Sequence, residues 1–459
     1  PKTDNGGIKS LSVLEDVALV NLTGRGLLGK VGIDARIFKT LGQNNINVGI
    51  ISQGSSERGI GLVVDAKKAQ KAKKVLDQEF ETEYSAQDVN QIAVVHDVSV
   101  ISIVGMDLST FHKPFNALVK NQVVPLLFNN TVTGKNVSLV LNKSDLHKAI
   151  NVVHGQIFGI AKKVNLAIFG HGNVGATLID QILDSQKSIE NRKGLDLRIF
   201  SVSNSRKALL NSKGISTKWR DRLDAKGEPY TVQDIIAYAK EHHLENLIAV
   251  DNTASEAFVS HYDALIEGGF DLVSSNKIAN TLGFDYYKAV RRNLEKNQKQ
   301  YLYETNVGAG LPLIDTIKLL HLSGENITRI KGVFSGSLSY IFNTFSEKKA
   351  PFSSIVKEAM AQGFTEPDPR EDLSGNDVGR KLLILARELD LQNEFSDISV
   401  ENLIPEELRS LDFDAFISQI EKMDGIYESI KEQQEDGHVL RYIGDLHGDL
   451  QRDKGILDV

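Results

Sequence analysis

The chain has 459 residues, enough for roughly three domains at ordinary domain sizes. Its 41% hydrophobic and 25% charged content is that of a globular protein, and its apolar runs are too short for a membrane span. A net charge of -7 argues against a nucleic-acid surface, which needs a concentrated basic face, and no cysteine is present, which excludes disulfides, thiolate metal sites and thiol nucleophiles.

The opening PKTDNGG carries no secretory apolar core and reads as a loop from something longer, so a cytoplasmic location is expected. VALVNLTG at 17 to 24 and VSVISIVG at 98 to 105 are matching alternating strands, each followed by a helix with one phenylalanine, Phe38 or Phe115. The segment from Ile46 aligns without gaps to the segment from Val123, and each copy closes with a helix. The expected order, strand, helix, strand, strand, helix, strand, is that of a split ferredoxin-like unit present twice. Such a pair can also serve only to pack or dimerise.

Near residue 160 the pattern changes. VNLAIFGHGNVGATLIDQIL reads as a buried strand, a glycine turn and a helix, the required context for a dinucleotide fingerprint. Gly170 permits the turn, Gly172 lets a pyrophosphate approach the backbone, Gly175 lets the helix pack, and the helix amino terminus faces the anion. Asn173 and Val174 complete the candidate cofactor contacts of this turn. The next strand, LRIFSVS, ends without the acidic residue of an NAD-selective site, and Ser205 and Arg206 there could receive a 2′-phosphate instead. Arg206 as an ordinary surface residue is the alternative. Both NADP and NAD therefore stay open. LIAVDNTAS at 247 to 255 places Asn252 and Thr253 at a strand's carboxyl end, where open α/β sheets bind ligands, and FDLVSSNKIAN at 270 to 280 does the same for Lys277. His242 and His243 lack ligand spacing and are expected to be solvated helix residues.

GFTEPDPREDLSGNDVGRK, residues 363 to 381, crowds carboxylates, two prolines and a terminal lysine into one segment. Pro367 and Pro369 stiffen it, so Glu366 and Asp368 are expected on a rigid loop. A helix follows, with Val378, Leu382 and Leu383 on its apolar face and Asp377 and Lys381 four apart on one side. Fixed acids beside an ammonium suit a polar substrate bearing an amine; a solvated acidic loop is the plain alternative.

FGHGNVG, VDNTAS, SSNKIAN, YETNVGAGLP, FSGSLSYIFN and GFTEPDPREDLSGNDVGRK occur in that order and together resemble homoserine dehydrogenase. The repeats resemble ACT domains, and QGSSERGIGLVV is similar to the effector hairpin of the aspartokinase ACT pair, so the whole chain resembles the bifunctional aspartokinase–homoserine dehydrogenase family. This implies an α/β and α+β chain: a tandem ACT regulatory domain at 1–160, a Rossmann domain at 161–303, and a substrate-binding and dimerisation domain at 304–459. With no kinase region before residue 1, and an end at Val459 ahead of the family's glycine-rich segment and last helix, a fragment or cleaved product is expected. The activity implied is reversible NAD(P)H-dependent reduction of aspartate 4-semialdehyde to homoserine, on the route from aspartate to threonine and methionine. Lys277 and Lys381 would be the active-site lysines, Glu366 and Asp377 would hold the substrate, and Asp372 would support them. Glu304 with the carbonyls of Val307, Ala309 and Leu311 would bind sodium, although that stretch also reads as a structural turn. Gln53 would contact an amino-acid effector, with threonine expected; Asn130 occupies the equivalent place in the second repeat. A homodimer or homotetramer is implied.

Two rival readings stand beside this one. An aldehyde-oxidising semialdehyde dehydrogenase needs a cysteine thioester, which this chain cannot form. An amino-acid sensor carrying an inert dehydrogenase region is compatible with the sequence.

Overall fold

In the computed structural model, which describes residues 10–25, 31–53, 59–105, 111–157, 161–435 and 437–459, the two repeats share one six-stranded sheet. The first repeat supplies β1 (Ser10–Thr23), β2 (Val48–Gln53) and β3 (Gly59–Asp65); the second supplies β4 (Ala93–Val104), β5 (Leu127–Asn130) and β6 (Asn136–Asn142). The order is β2-β3-β1-β4-β6-β5. Each repeat thus contributes three strands, and the fourth position expected in each unit is filled by the first strand of the other repeat. β1 and β4 pair antiparallel, Leu14 opposite Val100, which gives both long strands two neighbours and leaves neither as an open edge. Asp16 and Asp97, equivalent in the two copies, both have positive φ, 57° and 53°; Asp16 lies where the β1–β4 register shifts, between Leu14 and Val17.

Strand alternation sorts the side chains. Ala18, Val20, Leu22, Leu62 and Val64 enter a core with the helices Ile33–Gln43 and Ala69–Glu79, while Ile101, Ile103, Leu139 and Leu141 enter a second core with the helices His112–Lys120 and Leu146–Ile157. The intervening Val17, Leu19, Val63, Val98, Val100 and Val140 form a third cluster on the other face. Asn129 Nδ2 donates to the Ile51 carbonyl, so the edge strands β5 and β2 approach one another.

The second sheet has β7 (Lys162–Phe169), β8 (Leu195–Ser203), β9 (Ala208–Leu210), β10 (Leu247–Asp251), β11 (Phe270–Ser274) and β12 (Tyr301–Leu302) in the order β12-β11-β10-β7-β8-β9. The sequence reading expects a parallel sheet; β9 instead runs antiparallel to β8, with Ser201 opposite Leu210. Asn204 is the reason. Its Oδ1 accepts from the backbone N–H groups of Arg206 and Lys207, closing a tight return with no room for the crossover that a parallel neighbour needs.

A third, four-stranded sheet joins β13 (Ile330–Gly332), β14 (Ile398–Ser399), β15 (Gly444–His447) and β16 (Ile456–Asp458) in the order β13-β15-β16-β14. The helices around it pack an aromatic core in which Phe352 and Tyr427 stack with ring centroids 3.7 Å apart and Phe345 meets Phe352 edge-on.

By internal contacts the chain divides into two units. One holds the repeats with Asn173–Ala249 and Gly268–Phe270; the other holds Phe169–Gly172, Val250–Glu267 and Asp271–Val459. Inside the first unit, the buried Asn121 of the second repeat and Asn246 exchange hydrogen bonds, Asn246 N–H to Asn121 Oδ1 at 2.6 Å and Asn121 Nδ2 to Asn246 Oδ1 at 3.2 Å. His243 corrects the expectation of a solvated helix residue. The helix stops at Glu241, and His243, at φ 51°, is half-buried with its ring 5.2 Å from His147; burial and the neighbouring positive charges lower its pKa. No helix among the described residues is long and apolar enough to cross a membrane.

Candidate active site

The segment 363 to 381 is less of a loop than the prolines suggest. Pro369 occupies the first turn of a helix, Pro369–Leu373, and Asp368 caps it by accepting from the Arg370 N–H. Asp368 also forms an ion pair with Arg370, so its charge is spent on structure. Gly375, at φ 75°, then reverses the chain into the helix Asn376–Glu388. A Cβ there would collide with the Tyr442 hydroxyl and come within 2.9 Å of Val400, so this position requires glycine for both space and conformation.

That helix presents Asp377 and Lys381 on one side, with Oδ2 of Asp377 2.9 Å from Lys381 Nζ. Lys277, far away in the sequence, meets the same carboxylate: its Nζ lies 2.6 Å from Oδ1. Asp377 therefore bridges two ammonium groups. Burial pushes its pKa up, but the two lysines outweigh this and hold it below the usual carboxylate range. Lys381 also donates to the Phe334 carbonyl at 2.6 Å, which leaves one of its three donors, while Lys277 spends one on Asp377.

Lys277 is placed by what precedes it. β11 ends at Ser274, and buried Asn276 donates to Asp251 Oδ2 at 3.1 Å and to the Ser255 carbonyl at 3.2 Å, while its Oδ1 accepts from the Ile278 N–H. Asp251 is itself buried and accepts from the Thr253 N–H and the Tyr262 hydroxyl, both at 2.8 Å; burial raises its pKa.

Asp372 holds the acidic segment in place. Its Oδ1 accepts from the Ser337 hydroxyl at 2.6 Å and its Oδ2 from the Glu366 backbone N–H at 2.8 Å. Ser337 is a residue that sequence reasoning missed; the serines of FSGSLSYIFN beside a helix start were the available signal. Glu366 reaches solvent, yet partial burial and then the charges of Asp372 and Glu371 raise its pKa, with Lys277 opposing. Lys277, Lys381, Asp377, Asp372 and Glu366 thus form one cluster of alternating charge, all within one unit.

At the glycine turn, Gly170 has φ 84°, and a Cβ would lie 2.8 Å from the Asn252 carbonyl oxygen. Asn252 N–H donates to the Phe169 carbonyl, which ties β10's end to the turn. Gly172 faces open space, Asn173 and Val174 are exposed at the start of the helix Asn173–Lys193, and Gly175 is buried beneath it. Among the described residues, Asn252 Nδ2 is buried with no partner. An orphaned donor beside an open glycine turn, both within the second unit, fits a dinucleotide. Ser205 and Arg206 are exposed at the β8–β9 return.

Glu304 accepts from the Ile314 N–H at 2.7 Å and the Asp315 N–H at 3.0 Å, so both its oxygens cap the helix Leu313–Leu322. Val307 lies in the short helix Thr305–Gly308, Ala309 follows at φ 51°, and the Leu311 carbonyl accepts from the Leu313 N–H. No group of three or more His, Asp or Glu able to hold a metal occurs among the described residues. Gln53 ends β2 with its side chain exposed; Gly54, Ser55 and Ser56 lie outside the described residues. A cavity of about 910 Å³ opens beside it, lined by Asn21, Thr23, Arg25, Ser52, Leu127 and Phe128 among others, but not by Gln53. Asn130, its counterpart, ends β5.

The strand–glycine turn–helix and the doubly bridged lysine site together mark a dinucleotide-binding protein of the dehydrogenase class. The ACT domain family matches residues 20–80, the homoserine dehydrogenase NAD-binding domain residues 170–304, and the homoserine dehydrogenase family residues 312–454. The chain is 34% identical over 450 residues to a bifunctional aspartokinase/homoserine dehydrogenase of Haemophilus influenzae, covering 96% of this chain and 55% of that one. It is also 34% identical over 460 residues to a chloroplastic enzyme of the same description from Daucus carota, covering 98% and 50%. A solved Candida auris protein of unknown function is 29% identical, with a TM-score of 0.56 over 64% of this chain and 83% of that one. The chain belongs to the homoserine dehydrogenase family, with an ACT domain ahead of the dehydrogenase region. It spans about half the length of the curated relatives it matches.

Proposed function

We propose that this chain is an ACT-regulated homoserine dehydrogenase that interconverts aspartate 4-semialdehyde and homoserine. The observation that carries the reading is the pair of ammonium groups, Lys277 and Lys381, held by the single carboxylate of Asp377. In the reducing direction the bound nicotinamide dinucleotide supplies a hydride to the aldehyde carbon. Negative charge then grows on the carbonyl oxygen, where an ammonium with free donors stabilises it and delivers the proton that completes the alcohol. Asp377 keeps both lysines in place. Glu366 and Asp372 supply negative charge for the substrate's amine, and Asp372 fixes the Glu366 backbone while doing so. Asn252 and Thr253, with the turn from Gly170 to Gly175, hold the dinucleotide, and Ser205 and Arg206 favour a 2′-phosphate and hence NADP.

The domains proposed are the regulatory pair at 1–160, the dinucleotide domain at 161–303 and the substrate domain at 304–459. Sodium at the carbonyls of Val307, Ala309 and Leu311 beside Glu304 is a further part of the reading; the left-handed Ala309, which breaks the local helix, supports it. Threonine is the proposed effector, with Gln53 at its edge; the polar cavity beside Ser52 supports an amino-acid site on this side of the repeat pair.

Two measurements test this. Homoserine with NADP, and separately with NAD, is expected to yield reduced dinucleotide, faster with NADP. A chain that binds dinucleotide but never reduces it with homoserine contradicts the proposal. Calorimetric titration of threonine is expected to give heat that the Gln53→Ala variant weakens; unchanged affinity places the ligand elsewhere.

A further inference from the structure

The lysine site is pinned at a second point. Lys277 caps a short helix, Ile278–Thr281, and the last residue but one of that helix, Asn280, is completely buried. Its side chain is saturated: Nδ2 donates to Asn306 Oδ1 at 2.9 Å and to the Tyr301 hydroxyl at 3.3 Å, and Oδ1 accepts from Arg291 Nη2 at 2.8 Å. Its backbone carbonyl is taken by Arg387, whose Nη1 donates at 2.7 Å. Arg387 belongs to the same helix as Asp377 and Lys381, lying roughly 15 Å beyond Asp377 and about 9 Å beyond Lys381 at 1.5 Å per residue.

Arg387 is an expensive residue in this place. It is 2% exposed, and burial lowers its pKa. Glu394 is its ion-pair partner at 3.2 Å, and the Tyr287 ring lies 5.0 Å below the guanidinium. The same Glu394 accepts from the Phe284 N–H at 2.7 Å, so the guanidinium is fixed from two sides. Were its role only to fill the core, an apolar side chain of similar volume would cost less than a desolvated charge. What an apolar residue cannot do is bind the Asn280 carbonyl.

We propose that Arg387 is a positioning residue of the dehydrogenase reaction: by gripping the Asn280 carbonyl it fixes the helix that starts at Lys277 against the helix that carries Asp377 and Lys381. The inference rests on the proposed function of those three residues. With the ion pair at one end and Arg387 at the other, the two helices have neither a slide nor a pivot that leaves Lys277 within reach of Asp377. Misplacement of a reacting group by about 1 Å costs up to ~100-fold in rate, so a distant grip of this kind has kinetic consequences.

The test compares Arg387→Met, which keeps the volume, and Arg387→Lys, which keeps the charge but loses the planar fork. For Arg387→Met the expected result is a fall in kcat of roughly 10- to 100-fold with an unchanged dissociation constant for reduced dinucleotide. The acid limb of its kcat/KM profile is expected at higher pH, because a loosened Lys277 no longer depresses the Asp377 pKa; Arg387→Lys recovers part of both. A folded Arg387→Met variant with wild-type kcat and pH profile overturns the proposal. If Arg387→Met does not fold, Arg387→Lys with a wild-type profile overturns it equally. If neither folds, Glu394→Gln, which frees the guanidinium from its counter-ion at a half-exposed position, must shift the acid limb in the same direction; an unmoved limb reduces Arg387 to a structural role. Failure of the underlying reading looks different, since the unmodified chain would then bind dinucleotide and not oxidise homoserine.

Discussion

Among the described residues, the repeat pair buries Ser99 and Asn121 as its polar side chains, whereas the region from residue 304 onward buries Asn306, Ser335, Ser337, Ser353, Arg387, Glu388, Asn393 and Asp445. The repeat cores are apolar layers, mostly Val, Ile and Leu from alternating strand positions, and an apolar residue of similar volume is tolerated there. Around the lysine site each polar group is oriented by another, Ser337 by Ser335, Asp372 by Ser337, and the Glu366 backbone by Asp372. The first arrangement stabilises a shape. The second fixes atoms in positions, which catalysis requires and regulation by repacking does not.

The sharpest way to break this contrast is to remove a charge from the lysine site. Lys277→Ala and Lys381→Ala are each expected to lower turnover by roughly 100- to 10,000-fold, in line with the loss of a positioned proton donor, with dinucleotide affinity nearly intact. Steady-state rates alongside fluorescence titration of reduced dinucleotide check it; near-normal turnover in both would remove the lysines from the mechanism. Leu62→Ala, at a completely buried position of the first repeat, is the converse experiment. It should cost about 2–5 kcal/mol of stability for the repeat pair in denaturant titration while the folded fraction keeps its kcat.

Gly375→Ala strikes the joint between stability and site. The substitution forces a side chain into a left-handed position against Tyr442, so a loss of roughly 2–4 kcal/mol and a lower kcat should appear together. Loss of stability with untouched kcat would show that the turn does not aim Asp377. Arg206→Ala is smaller: about 1–3 kcal/mol weaker NADP binding and little change for NAD, read from the two dissociation constants. Equal losses would turn Arg206 away from the cofactor.

The smallest effect belongs to an ion pair on the third sheet, between the buried Asp445 and the exposed Arg329. Asp445 accepts from Arg329 and lies 3.4 Å from Lys331, and these partners lower its pKa from 3.8 to about 2. A depressed carboxylate stabilises the fold above its unfolded pKa, so this contribution is present above about pH 4 and fades as pH falls toward 2. Arg329→Ala should therefore flatten the acid edge of a melting-temperature profile slightly; an unchanged edge would make the pair inconsequential, as many pairs with one solvent-exposed partner are.

Much of this was legible because it is local. Asp377 and Lys381 are one helical turn apart, and the strand, turn and helix around Gly170 to Gly175 follow one another directly, so spacing alone places them. The internal repeat was equally visible, but the exchange by which β4 completes the first unit depends on pairing between distant strands. The meeting of Lys277 with Asp377, and the grip of Arg387 on Asn280, depend on tertiary packing and leave no periodic trace. Asn204 misled in the other direction: a short polar turn carried the hairpin that makes β9 antiparallel, against the alternating pattern of strands and helices around it.

The central claim, that a carboxylate bridging two lysines runs the chemistry, is tested most directly by Asp377→Asn. Homoserine oxidation is followed by the absorbance of reduced dinucleotide, beside a titration of dinucleotide binding to the same protein. The neutral amide leaves two ammonium groups close together without their shared counter-charge, so the rate should fall at least ~100-fold while dinucleotide still binds. A folded Asp377→Asn chain that oxidises homoserine at the wild-type rate would contradict the account.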